Sequence, residues 1–138
     1  MNKQIKFGDF AEIKKAFSQE EVNSYNTICG DSNPIHYDYN YAGKTYFKRP
    51  IVPGLLVTSL FGGLLGSKIP GEGTIFLGQE VKFIKPIYIG EKVSANIKII
   101  NVREDKPIFT FSTTCFDENG EIAIEGEATV YFKGKYFV

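Results

Sequence analysis

The chain has one histidine, His36, and two cysteines, Cys29 and Cys115. Two thiols so far apart make neither a disulfide framework nor a zinc site, and one imidazole adds too little for a structural metal. Charge of either sign in excess is also missing. Sixteen basic residues balance sixteen acidic ones, so the clustered basic surplus of a nucleic-acid binder is absent. The longest uncharged run, Pro50 to Ser67, is slightly short for a membrane span and rich in Gly, Ser and Thr. The N-terminal MNKQIKFGDF lacks the apolar segment of a signal peptide. These absences lead us to expect a soluble, cytoplasmic protein that contacts neither nucleic acid nor membrane.

What is present is enough for a core. Of the 138 residues, 43% are hydrophobic and 14% aromatic, which suits one domain over residues 1–138. Repeats, low-complexity tracts and linkers are lacking. The chain changes character near Gly71, with helix signals before it and strand signals after.

Ala11 to Phe17 reads as a short strand. Ser18 and Glu21 form the S-x-x-E pattern of a capping box, opening a helix towards Cys29, with Gly30 as its stop. Cys29 itself reads as a small buried hydrophobe. Asp38 suits the cap of a short helical turn through Tyr41 and Ala42, and Tyr37, Tyr39 and Tyr41 read as a partly exposed aromatic edge. A second helix over Gly54 to Lys68 is apolar almost all round, which predicts burial on most sides. Gly62, Gly63 and Gly66 within it suggest a close approach by other backbone or by a ligand.

Strict alternation from Ile122 to Phe132 predicts a strand with one wet face. Asn119-Gly120 would turn it back on Phe109–Phe116. Glu104-Asp105-Lys106-Pro107 would link that strand to Val93–Val102, and Thr74–Phe83 supplies one more. The expectation is an α+β fold, a long antiparallel sheet wrapped around one buried apolar helix. Exposed sheet edges would favour a homodimer.

The stretch that could carry chemistry is ICGDSNPIHYDYNYA, Ile28 to Ala42. Asp31 and His36 flank Asn33-Pro34, which interrupts regular structure. Such a loop could bring carboxylate and imidazole to one water, with histidine moving protons near neutral pH. A structural turn with a stray imidazole has the same spacing, so spacing alone leaves both readings open. Addition of water to a conjugated double bond also needs a donor at the carbonyl. Gly54, at the predicted start of the apolar helix, offers a backbone N–H, the helix dipole and no side chain to block approach.

Tyr25, Ile28, Cys29, Gly30, Asp31, Asn33, Pro34, Ile35, His36 and Ala42 fit, with the right spacing, the hydratase-2 motif of the MaoC-like (R)-specific enoyl-CoA hydratases. Arg49-Pro50-Ile51-Val52-Pro53-Gly54 before an apolar helix, Gly78-Gln79 and Arg103-Glu104-Asp105-Lys106-Pro107 also resemble the short members of this family. The resemblance implies a hot-dog fold, a homodimer, and reversible hydration of trans-2-enoyl-CoA to (R)-3-hydroxyacyl-CoA. No metal and no cofactor are implied, coenzyme A being part of the acyl-CoA substrate. It carries water activation to Asp31 and His36, loop organisation to Asn33 and the thioester-carbonyl contact to the Gly54 N–H.

The acyl chain would run beside the helix, where Leu64 and Leu65 would shorten its tunnel. Two positions depart from the family: Pro53 stands where some relatives have His, and Gly62 where close relatives often have a supporting serine. Other readings of the same scaffold are a 3-hydroxyacyl-ACP dehydratase, an acyl-CoA thioesterase and a non-catalytic acyl-CoA-binding module.

Overall fold

The computed structural model describes residues 5–134; the first four residues of the N-terminal decapeptide lie outside this range. β1 (Phe10–Ala16) leads into α1 (Gln19–Cys29), a 3₁₀ turn (Pro34–His36) and α2 (Tyr39–Gly43). α3 (Gly54–Ser67) follows, then β2 (Ile75–Phe83), β3 (Lys92–Val102), β4 (Ile108–Phe116) and β5 (Ile122–Tyr131). The strands form one antiparallel sheet in the order β1-β3-β4-β5-β2. β2 therefore takes an edge, far from β3, its successor in the chain.

The local signals act where they were read. The Ser18 hydroxyl accepts from the Glu21 N–H at 3.1 Å, and the Glu21 carboxylate accepts from the Ser18 N–H at 3.0 Å. This reciprocal cap satisfies two N–H groups that the first turn of a helix leaves without backbone partners. Gly30 ends α1 in the left-handed region, φ 80°, donating to the Asn26 carbonyl at 2.8 Å. Asp38 caps α2 by accepting from the Tyr41 N–H. β1 starts one residue earlier than the sequence predicts, and α3 ends at Ser67 with Lys68 as its cap.

The core lies between α3 and the concave face of the sheet. Val57, Phe61, Leu64 and Leu65 from the helix meet Val93, Ala95, Ile97 and Ile99 from β3 and Phe111 and Val130 from β4 and β5. Burying a side chain such as Phe61 or Ile97 contributes on the order of 2–3 kcal/mol each. The helix is not buried all round, as its composition predicts. Leu55 is 60% exposed, and Ser59, Gly63 and Gly66 face outward with it. No neighbouring heavy atom comes within 4 Å of where a Cβ would stand on Gly62, Gly63 or Gly66, so within this chain those glycines serve no close approach.

Two strand features bear on the site. Alternation predicts Ile122 as an inward residue, yet it is 38% exposed, while the adjacent Ala123 and Ile124 are both buried. The pairing shifts here, Cys115 facing Ile124 and Phe116 facing Ile122, so Ala123 is the extra residue of a bulge. Its carbonyl accepts from the Ile84 and Lys85 N–H groups at 2.8 and 3.1 Å, which pins the chain where it leaves β2. At Gly126 the backbone of β2 passes so near that a Cβ would fall on the Glu80 carbonyl oxygen.

Candidate active site

Gly30 turns the chain out of α1, and three short-range contacts then shape the loop. The Asp31 Oδ1 accepts from the Asn33 N–H at 2.9 Å. The Asn33 Oδ1 accepts from the Ile35 N–H at 3.3 Å, capping the 3₁₀ turn, and Pro34 occupies its first position without needing a partner for a missing N–H. His36 closes the turn, 8% exposed.

The imidazole is held from both sides. Its Nδ1 lies 2.7 Å from the Ile51 carbonyl oxygen. A carbonyl can only accept, so Nδ1 carries the proton and Nε2 of the neutral ring presents a lone pair. That Nε2 lies 3.5 Å from Asp31 Oδ2, beyond an ordinary direct hydrogen bond. Two acceptors at this separation both call for a donor, which a water lying to one side of the pair can supply. The Asp31 side chain is about one-third exposed, open enough for water to reach it. Ile51 also donates its own N–H to the Ile35 carbonyl at 3.1 Å, and bridges to Tyr88. The Gln19 amide donates to the His36 carbonyl at 3.0 Å.

Tyr25, half-buried on α1, stands near the loop's carboxylate. Burial pushes its phenol pKa up, with Cys29 and Asp31 adding to the rise, so it stays neutral beside the carboxylate. Cys29 is exposed rather than a buried hydrophobe, and Ile28 beside it is 85% exposed. Cys115 is the buried thiol, pushed by desolvation up to about 12. Tyr37, Tyr39 and Tyr41 form the exposed edge expected of them.

Gly54 opens α3 three residues after Ile51. Its N-cap is Pro53, which offers no side-chain bond. The Leu56 and Val57 N–H groups both donate to the Pro53 carbonyl, leaving those of Gly54 and Leu55 without an acceptor among the described residues. Gly54 lines an apolar cavity of about 420 Å³ walled by Phe47, Ile51, Leu55, Phe83 and Ile87. Lys85 also reaches this cavity and pairs with Glu121.

Asp31, Asn33 and His36 thus share one loop, and Ile51 ties that loop to the start of α3. Gly62 lies two turns along the helix, half-buried. Leu64 and Leu65 are 2% and 0% exposed within the core and take no part in the cavity beside Gly54. Sequence reasoning missed Ile51, whose contribution is a backbone carbonyl that any residue would supply. It also missed Phe47 and Phe83, two among twelve phenylalanines, which only the fold singles out. Among the described residues no three His, Cys, Asp or Glu side chains stand close enough to hold a metal ion.

Comparison with known proteins agrees with this arrangement. A family model described as a MaoC like domain matches residues 5–115. An (R)-specific enoyl-CoA hydratase from Aeromonas caviae is 43% identical over 126 residues, covering 91% of this chain and 94% of that protein. A second protein of that name, from Rhodospirillum rubrum, is 36% identical over 91% of this chain and 87% of its own length. The solved structure of an (R)-hydratase from A. caviae involved in PHA biosynthesis superposes with a TM-score of 0.91 at 42% identity, covering 93% of this chain and 97% of that one. The five-stranded sheet around α3 is the hot-dog fold of that structure. The Gly-Asp-x-Asn-Pro-Ile-His loop, the sheet that cradles α3 and these likenesses converge: the chain belongs to the MaoC-like domain family.

Proposed function

We propose that this protein is an (R)-specific enoyl-CoA hydratase, a hydro-lyase that adds water reversibly to trans-2-enoyl-CoA to give (R)-3-hydroxyacyl-CoA. The observation that carries the catalytic roles is the fixed imidazole. With Nδ1 donating to Ile51, the His36 Nε2 lone pair and Asp31 Oδ2 stand 3.5 Å apart. A water bridging them from the side donates a hydrogen bond to each, and one of its two protons passes to the pair as it attacks. Its oxygen attacks C3 of the enoyl chain, and the electron pair of the C2–C3 double bond moves towards the thioester carbonyl. The developing enolate oxygen accepts from the Gly54 N–H at the positive end of α3. The proton taken from the water by the pair is returned to C2, and the second stays on the new hydroxyl. Electrons balance within water and substrate, so the reaction calls for no redox cofactor. Asn33 holds the loop. Pro53 leaves the Gly54 N–H intact, and the helix supplies the field a side chain would otherwise add.

The same reading makes the protein a homodimer in the cytoplasm. β2 is an edge strand whose Ile75, Phe76 and Leu77 are 45%, 43% and 51% exposed, a row of apolar surface that a second copy would cover. No helix among the described residues is long and apolar enough to cross a membrane.

Crotonyl-CoA tests the reaction. Loss of the conjugated-thioester absorbance without release of thiol, abolished in Asp31→Asn and His36→Ala, is the expected result, with the (R)-alcohol recovered by chiral analysis. Free coenzyme A appearing in step with that loss would make the protein a thioesterase instead. Sedimentation velocity tests the dimer.

A further inference from the structure

The place a side chain would take on Gly54 is already occupied. A Cβ built there would meet Cε1 of Phe83, with Cδ1 at 2.7 Å and Cζ at 3.1 Å. These distances lie inside normal carbon–carbon contact. Gly54 is therefore glycine because the Phe83 ring occupies the place of a Cβ, and the room expected there for an approaching substrate belongs to Phe83. The ring itself is 52% exposed, but the backbone that carries it is held by the sheet. Phe83 pairs with Ile124 at the end of β2, and the Ala123 bulge anchors Ile84 and Lys85 immediately after it.

Phe83 and Gly54 line the same cavity. A thioester carbonyl accepting from the Gly54 N–H brings its oxygen to about 2.9 Å from the nitrogen. Its two substituents, the sulfur and C2, then lie beside the ring. A linear enoyl chain has only hydrogen at C2. A 2-methyl-branched chain must place an extra methyl group against Phe83, Phe47 or Leu55. The ring cannot retreat across Gly54, where it already occupies the place of a Cβ.

We propose that Phe83 is a specificity-determining residue of the thioester subsite, admitting enoyl thioesters unbranched at C2 and rejecting those that carry a methyl group there. The proposal rests on Gly54 being the carbonyl donor of a hydratase.

The test measures kcat/KM for crotonyl-CoA and 2-methylcrotonyl-CoA in the wild-type protein, Phe83→Leu and Phe83→Ala. One methylene more or less in an apolar pocket is worth roughly 10- to 200-fold in discrimination. The wild type should favour crotonyl-CoA by a factor in that range, and the ratio should shrink at least ten-fold in Phe83→Ala through a gain on the branched substrate. Phe83→Leu keeps apolar surface on Gly54 and should fall between, with an unchanged thermal unfolding midpoint. A ratio unaltered in both variants, or both substrates losing rate together, would overturn the proposal and leave the hydratase reading standing. A wild-type protein that hydrates neither substrate would overturn the hydratase reading as well.

Discussion

The Ile51 carbonyl oxygen, 2.7 Å from His36 Nδ1, decides which nitrogen of the imidazole carries the proton. Ile51 grips the adjacent residue too, its N–H bonding to the Ile35 carbonyl. A single residue thus sets the height of the 3₁₀ turn and the tautomer of its histidine. Asp31 meets the other ring nitrogen at 3.5 Å. The Asp31–His36 pair is built from one loop and pinned by the segment that leads into α3.

On the proposed function, Asn33 is a positioning residue. Asn33→Ala removes the cap on the Ile35 N–H, 3.3 Å long, and lets the turn relax while leaving Asp31 and His36 in the chain. Activity on crotonyl-CoA should fall roughly 10- to 100-fold, the range that displacement of a catalytic group by about 1 Å produces. The loss should lie in kcat, with KM little changed. Wild-type kcat in the variant would show that Pro34 and Ile51 hold the turn unaided.

The outward glycines of α3 make a stability prediction. Gly63 and Gly66 are helical, exposed and have open space where a Cβ would stand. Replacing either by alanine should raise the free energy of unfolding by about 0.5–1 kcal/mol, measured by urea titration. Destabilisation instead would mean that this face is covered in solution by a second copy.

Gly126→Ala should do the opposite. Its Cβ would collide with the backbone oxygen of Glu80, which no rotamer change relieves. A loss of about 1–3 kcal/mol is expected from this overpacking. Hydrogen exchange should show β2 opening before the other strands, since Gly126 sits on β5, the strand that β2 pairs with among the described residues. Uniform exchange across β2 and β5 would contradict this.

Cys115 gives a dependence on pH. The thiol has an ordinary value of 9.0 and is pushed by burial to about 12 in the folded chain. Between these values the unfolded chain binds fewer protons than the folded one, so stability falls as pH rises. Its contribution is fully present below about pH 9, and declines by up to about 1.4 kcal/mol per pH unit above it. Urea unfolding of the wild type and Cys115→Ala at pH 8 and pH 10 checks the sign. The wild type should lose more stability between the two than the variant does.

Ser18→Ala should cost about 1 kcal/mol by uncapping α1. Glu21 keeps its bond to Lys15, which holds its carboxyl below the usual range. Circular dichroism should therefore show α1 retained at low temperature and the thermal midpoint lowered.

The elements legible in the sequence are those whose causes lie close together along it. Ser18 bonds Glu21, Asp31 bonds Asn33, Asn33 bonds Ile35 and Asp38 bonds Tyr41, each within three residues. Alternation marks β3 and β4 because one face of each is dry. It misjudges Ile122, where a bulge one residue long changes the side on which the chain enters the sheet.

By itself the sequence determined the turn that carries Asp31 and His36, the capped helix before it, the apolar helix that starts at Gly54 and the strands that wrap it. Short-range hydrogen bonds and period-two burial are properties of neighbouring residues, and neighbours are written side by side. Only the tertiary structure decided that Ile51 would set the His36 tautomer from 15 residues away, that Phe83 would occupy the flank of Gly54, and that α3 would keep one bare face. Those outcomes depend on strand register and on where a bulge falls. Register is a collective result of packing the whole sheet on one helix, which no single stretch of residues specifies.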